Sequence, residues 1–162
     1  MTNKEIVSIE QEINATEQEV FYAFTKANEI EKWFATKAET NLEGDGKYWF
    51  SFEYNESRNA ALRNHTRSGK FIQLIPNQSI VFTWLDRTLV NIVLSKTDKG
   101  TKIELTHSGW VIPQDNDLIE SHLEGWMDFL SNLQSVLEKG IDMRPKTLGM
   151  RTKEYPSVVS LN

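Results

Sequence analysis

The stretch DLIESHLEGWMDFLSNLQSVLEK, residues 117–139, decides how the rest of the chain is arranged. Leu118, Ile119, His122, Trp126, Phe129, Leu130, Leu133, Val136 and Leu137 recur at steps of three and four, which puts them on one broad face of an α-helix. At about 1.5 Å per residue the helix runs on the order of 30 Å, about the width of a small domain. It therefore needs an equally long partner surface. Asp115 or Asn116 is placed to cap its start, and Lys139 followed by Gly140 supplies a cation and a left-handed stop at its end.

The partner surface is legible upstream. Thr101 to Gly109 alternates, with Ile103, Leu105 and His107 on one side and Lys102, Glu104 and Thr106 on the other. Thr97-Asp98-Lys99-Gly100 turns back into Thr88 to Ser95, and Asp86-Arg87 turns again into a strand in which Ile80, Phe82 and Trp84 alternate with Val81, Thr83 and Leu85. Pro76-Asn77 ends another strand, Gly69 to Ile75. Beyond the turn signal Glu43-Gly44-Asp45-Gly46, Tyr48, Phe50, Phe52 and Tyr54 alternate with Lys47, Trp49, Ser51 and Glu53. Between these two strands, Asn55 to Ser68 is polar, carries three arginines and His65, and reads as a long surface loop.

At the start of the chain, Ile6 to Ile13 alternates as a half-buried strand, with Val7, Ile9, Gln11 and Ile13 on the inner side. Thr16 and Glu19 form a capping-box pattern ahead of a short helix that buries Val20, Phe21 and Phe24. Asn28 and Glu31 repeat the pattern ahead of a second helix with Ile30, Trp33 and Phe34 inward. One strand, two short helices, an antiparallel meander and one long helix give an α+β domain in which a twisted sheet curls around the long helix. Residues 1–140 form the domain and 141–162, with two prolines and no helical period, a tail that is either disordered or docked. The order of elements fits equally a solid core and an apolar pocket between helix and sheet.

Composition removes several classes of function. The chain has 162 residues, enough for one core, and no cysteine, which excludes disulfides, thiolate metal sites and thiol nucleophiles and points to the cytoplasm. No segment approaches a membrane span, and no signal peptide opens the sequence. A net charge of -5 with scattered basic residues argues against nucleic acid as a partner. Gly44-Asp45-Gly46-Lys47 lacks the length and the hydroxyl residue of a phosphate loop. No Ser, His and Asp set is spaced for nucleophilic catalysis.

Six pieces in order carry a family resemblance: Glu19-Val20-Phe21-Tyr22-Ala23-Phe24; Ile30-Glu31-Lys32-Trp33-Phe34; Gly46 before the aromatic strand; Pro76 followed by Ile80-Val81-Phe82-Thr83-Trp84; Thr106-His107-Ser108-Gly109-Trp110; and Gly125-Trp126 to Leu137-Glu138-Lys139-Gly140. Over about Ile6 to Arg144 the chain resembles the activator of heat-shock protein ninety ATPase homologue-like branch of the START and birch-pollen-allergen-like (SRPBCC) superfamily, in its single-domain bacterial type. The resemblance implies the helix-grip fold: a curved seven-stranded antiparallel sheet around the long C-terminal helix, with a cavity often used for apolar molecules. The family's name implies a link to chaperones and the stress response. The eukaryotic members that name the branch carry a further N-terminal domain, whereas strand one is the first element here.

Against this frame the aromatic set Trp33, Phe34, Tyr48, Phe50, Phe52, Phe82, Trp84, Trp110, Trp126 and Phe129, with Leu130, becomes candidate pocket lining. His107 closes the last strand, where its imidazole either hydrogen-bonds a ligand or satisfies a backbone carbonyl. His122 lies on the apolar stripe one turn before Trp126. The two histidines are either a candidate acid and base or two satisfied core groups; as a metal site they lack a third ligand. The leading expectation is a non-enzymatic cytoplasmic module that binds an apolar or amphipathic small molecule, needs no cofactor or metal, and has no assigned catalytic residue. The alternatives are a chaperone-associated interaction module using Asn55 to Ser68 or the tail, and a cyclase, dehydratase or hydrolase in which His107 and His122 converge on one enclosed point. Homodimerisation through sheet edges or the tail is open.

Overall fold

The computed structural model describes residues 6–53 and 64–144. In chain order these form β1 (Val7–Ile13), α1 (Glu17–Thr25), α2 (Ala27–Ile30), β2 (Lys37–Thr40), β3 (Lys47–Phe52), β4 (His65–Ile75), β5 (Ser79–Trp84), β6 (Thr88–Lys96), β7 (Thr101–Ser108) and α3 (Asn116–Lys139). The strands make one curved sheet in the order β1-β7-β6-β5-β4-β3-β2, every neighbouring pair antiparallel. This is the helix-grip arrangement expected from the sequence.

Alternation sets the two faces. Thr88, Val90, Ile92 and Leu94 of β6 are buried while Leu89, Asn91 and Val93 are exposed, and Ile103, Leu105 and His107 of β7 continue the buried face. On β1 the polar Gln11 takes an inward place because its amide nitrogen donates to the Leu130 carbonyl (3.1 Å) and to Gln134 Oε1 (2.8 Å) on α3. The Asn14 amide donates to Glu138 of the same helix at 2.8 Å. Of all the strands, β1 is the one α3 approaches most closely. The wedge between α3 and the rest of the sheet holds a cluster of aromatic side chains, and there the candidate site lies.

The caps are partly as expected. Thr16 and Glu19 form the full capping box of α1, with bonds of 3.0 and 2.8 Å, and Gly140 ends α3 in the left-handed conformation at φ 70°. The second capping box does not form: α2 starts at Ala27 with Lys26 as its uncapped flank, and Glu31 instead accepts the Ala38 amide at 2.9 Å, which ties α2 to β2. Asp115 precedes α3 without a side-chain cap, because Arg87 holds its carboxylate in a two-pronged pair of 2.6 and 2.9 Å and the Val111 amide adds a third bond. These bonds hold the Asp115 pKa below the usual carboxylate value, Arg87 contributing most.

Two boundaries move. β4 begins at His65, so the expected loop Asn55 to Ser68 gives up its last residues to a strand; its residues 55–63, and Tyr54, lie outside the described residues. β2, a four-residue edge strand with only Ala38 buried, has no hydrophobic alternation to announce it.

Of residues 141–162, 141–144 are described, and they dock. Asn132, fully buried on α3, donates to the Trp33 carbonyl (2.9 Å) and to Asp142 (3.0 Å) and accepts the Met143 amide (2.6 Å). Arg144 reaches the Ala35 and Glu31 carbonyls at 3.0 and 2.8 Å. Asn132→Ala strips three buried partners at once and is expected to lower unfolding free energy by about 2–4 kcal/mol in a urea titration. A loss under about 0.5 kcal/mol, the range of ordinary surface changes, would contradict this role.

Candidate functional site

Phe34, in the turn after α2, is the hub of the wedge. Its ring centroid lies 5.7 Å from Phe50, 5.1 Å from Phe52, 6.1 Å from Trp84, 5.6 Å from Trp126 and 4.8 Å from Phe129. It stacks on Trp126 and meets the phenylalanines edge-on, the two geometries the ring quadrupole favours. Tyr48 stacks on Phe50 at 4.4 Å, meets Phe82 edge-on at 5.9 Å, and donates its hydroxyl to the Thr83 carbonyl at 2.5 Å; burial raises its pKa.

The expected lining residues divide into groups. Phe34, Phe50, Phe52, Trp84, Trp126 and the half-buried Phe129 come together around the hub, with Tyr48 and Phe82 behind them. Leu130 is fully buried on the same helix face. Trp33 meets Phe34 at 5.1 Å from the α1 side, packs edge-on to Phe24 at 5.1 Å and donates its indole N–H to the Ala23 carbonyl at 2.8 Å. Trp110 closes the far end beside the histidines. Among Phe24, Ile30, Trp33, Phe34, Phe50, Phe71, Phe82 and Trp126 remains a void of about 10 Å³, counted as space open to the centre of a water-sized sphere. That is room for about one water and none for an organic ligand.

The histidines meet, with ring centroids 5.3 Å apart and edge to face, inside a chain of hydrogen bonds. The Trp126 indole N–H donates to His107 Nδ1 at 3.1 Å. An indole nitrogen only donates, so Nδ1 is the bare nitrogen and the proton sits on Nε2, which donates to Thr88 Oγ1 at 2.9 Å. The Thr88 hydroxyl in turn donates to the Trp84 carbonyl. On the other side, the Trp84 indole donates to His122 Nε2 at 3.3 Å, and His122 Nδ1 donates to the Leu118 carbonyl at 2.8 Å. Both tautomers are thereby assigned, and all four ring nitrogens are engaged. The pair is a neutral strut between β6, β7 and α3; neither ring has a nitrogen left for proton transfer to a third molecule.

Both imidazoles resist protonation. Burial, reinforced by His122, pushes the fully buried His107 down to about 3, and burial lowers His122 as well, helped by the positive charge of Arg67.

Arg67 is a group that sequence reading placed on the loop. In β4 it pairs with Phe50 and extends over the concave face, its guanidinium carbon 6.0 Å from the Trp84 ring. Nη1 donates to the Thr66 carbonyl at 3.0 Å, while Nε is buried without a hydrogen-bond partner. Thr88 and Phe71 were also missed as site residues. Alternation could have placed Phe71, but nothing marks Thr88 as the acceptor for His107. Among the described residues no cluster of three or more His, Cys, Asp or Glu is placed to hold a metal ion, and no helix is long and apolar enough to cross a membrane.

Residues 14–138 match the family described as Activator of Hsp90 ATPase homolog 1-like protein. Similar solved structures include a Staphylococcus saprophyticus protein (21% identity, TM-score 0.72, covering 88% of this chain and 98% of that one) and a Mesorhizobium loti protein (20%, 0.70, 84% and 98%). The Aha1 dimer from Colwellia psychrerythraea, solved in solution, is similar at 20% identity and TM-score 0.67, covering 83% and 97%. At these identities the likeness concerns the fold. A comparison with curated proteins finds no match.

Proposed function

Because this chain belongs to the Activator of Hsp90 ATPase homolog 1-like family, on a helix-grip fold, we propose that it is a cytoplasmic binding module for an apolar or amphipathic small molecule. The ligand enters between the β3–β4 side of the sheet and α3 and displaces aromatic rings instead of filling a ready cavity. One observation carries this reading: α3 lies closest to β1 at one border of the sheet, and toward β3 the two layers are separated by rings. Phe34, Phe52 and Phe129 have no polar atoms to anchor them, so their rotation breaks no hydrogen bond. A site lined by aromatics with few polar groups is what small-molecule pockets require. The 10 Å³ void makes opening part of binding, and the cost of that opening lowers the apparent affinity. A cysteine-free chain suits a reducing compartment.

The five tryptophans provide the test. Trp84 and Trp126 border the wedge, while Trp49 lies on β3 between the inward Tyr48 and Phe50 and so faces the opposite side of the sheet. In a proton–nitrogen NMR titration with medium-chain alcohols and acids, the indole signals of Trp84 and Trp126 are expected to shift saturably while Trp49 stays. Shifts at Trp49 alone, or none, would overturn the reading.

A further inference from the structure

Arg67 presents a cation to the aromatic wedge, and among the described residues no acid pairs with it. Its planar fork has two edges: Nη1 is spent on the Thr66 carbonyl, whereas Nε is buried without a partner and Nη2 makes no hydrogen bond among the described residues. A buried guanidinium N–H without an acceptor is unfavourable, and the 6.0 Å approach to Trp84 engages the face of the cation and leaves that edge without an acceptor. Nε and Nη2 side by side are the pair of donors that a carboxylate accepts in two parallel bonds. The neighbours sharpen the choice. Phe50 lies beside Arg67 in the β3–β4 register, Trp84 lies beneath it, and the neutral His122 has both ring nitrogens engaged, so one positive charge faces an apolar surface.

We propose that Arg67 is the anchor for the head group of the ligand, and that the ligand class is a monoanionic amphipath: a carboxylate that bonds Nε and Nη2, carrying an apolar tail that enters the ring-filled wedge toward Phe34. This rests on the reading of the wedge as a binding site. One cation matches one negative charge, and in a chain of net charge -5 a dianionic head would meet more repulsion than a monoanionic one.

Decanoate and decanol share a tail and differ in the head, so the intact protein titrated with each, by calorimetry and by the indole signals, isolates the head group. Wild type is expected to bind decanoate about tenfold or more tightly than decanol, the effect of a charge-assisted bond pair. Arg67→Met is expected to abolish that preference while retaining decanol binding, with a Tm equal to or above wild type, since it removes an unsatisfied buried donor. Arg67→Lys keeps the charge without the fork and should retain part of the preference. Equal binding of both probes by wild type, or an undiminished preference in Arg67→Met, would overturn the role of Arg67 and leave the wedge reading standing. Saturable binding of neither probe would overturn both.

Discussion

Phe34→Ala is expected to destabilise the domain by about 3–5 kcal/mol, the range for deleting a buried phenylalanine. Its ring touches side chains from β3, β5 and α3, all within about 6 Å between centroids, so its removal leaves a gap that no single neighbour fills. The partners that would have to collapse into the gap are held elsewhere: Trp84 and Trp126 through their indole bonds to the histidines, Phe50 by its stack on Tyr48. The loss is read from a urea unfolding curve as a shift in midpoint with little change in slope. The gap adjoins the existing void, so benzene or indole is expected to raise the Tm of Phe34→Ala more than that of wild type. A destabilisation below about 1 kcal/mol would mean that the rings repack freely and that Phe34 is not the hub.

The second large effect is acid sensitivity centred on His107. Its folded-state pKa, about 3, lies below the ordinary 6.5, so between these values the unfolded chain binds a proton that the folded chain refuses. Stability is therefore full above pH 6.5 and falls as pH drops toward 3. From pH ~7.5 to pH ~4.5 this group alone removes about 2–3 kcal/mol, and His122, also lowered, adds in the same direction. The groups facing His107 from the packed elements are His122 and Trp126 on α3, Thr88 on β6 and Trp110 beyond β7, with Arg67 of β4 acting on His122; none is an acid that would favour the imidazolium. Asp45, Asp115 and Asp142 have pKa values below the ordinary 3.8, so their stabilising contribution is lost only at lower pH. In His107→Gln an amide replaces the imidazole, with one acceptor and donors that do not titrate. The variant is expected to be less stable than wild type at neutral pH but to show a flatter loss between pH ~6.5 and ~4.5, by up to one proton's worth of slope. An unchanged slope would show that His107 is not the group responsible.

The architecture was readable because period and punctuation agree in most elements. The stripe from Ile119 to Val136, the αL stop at Gly140 and the alternation of β1, β5, β6 and β7 each reflect burial of one face, which residue type reports directly. The failures have a common physical origin. β2 is held by backbone pairing with β3 and buries only Ala38, so no side-chain pattern records it. Asp115 and Glu31 carry sequence signatures of caps, but partners outside their own helices, Arg87 and the Ala38 amide, compete for them. At the site, the composition of the aromatic cluster was legible and its shape was not. Whether such rings enclose a cavity or fill it depends on side-chain angles, and where Phe34, Phe50, Phe82 and Trp126 meet Trp33 the void they leave is about 10 Å³. The sequence left the two histidines either paired or separately satisfied; their rings meet, and the closure of the pair depends on two indole donors and on Thr88, which no spacing in the chain announces. Arg67 was hidden for the opposite reason: Thr66 to Ser68 looks like polar loop, while its strand pairing with β3 turns the arginine inward over Trp84.

On the proposed function, the wedge between α3 and the sheet opens for a small molecule. Native mass spectrometry of the freshly purified protein, set against its mass after denaturation, tests it most directly. A stoichiometric adduct that is present in the native spectrum and lost on unfolding is the predicted result; the same bare mass under both conditions, persisting after incubation with decanoate and decanol, would contradict it.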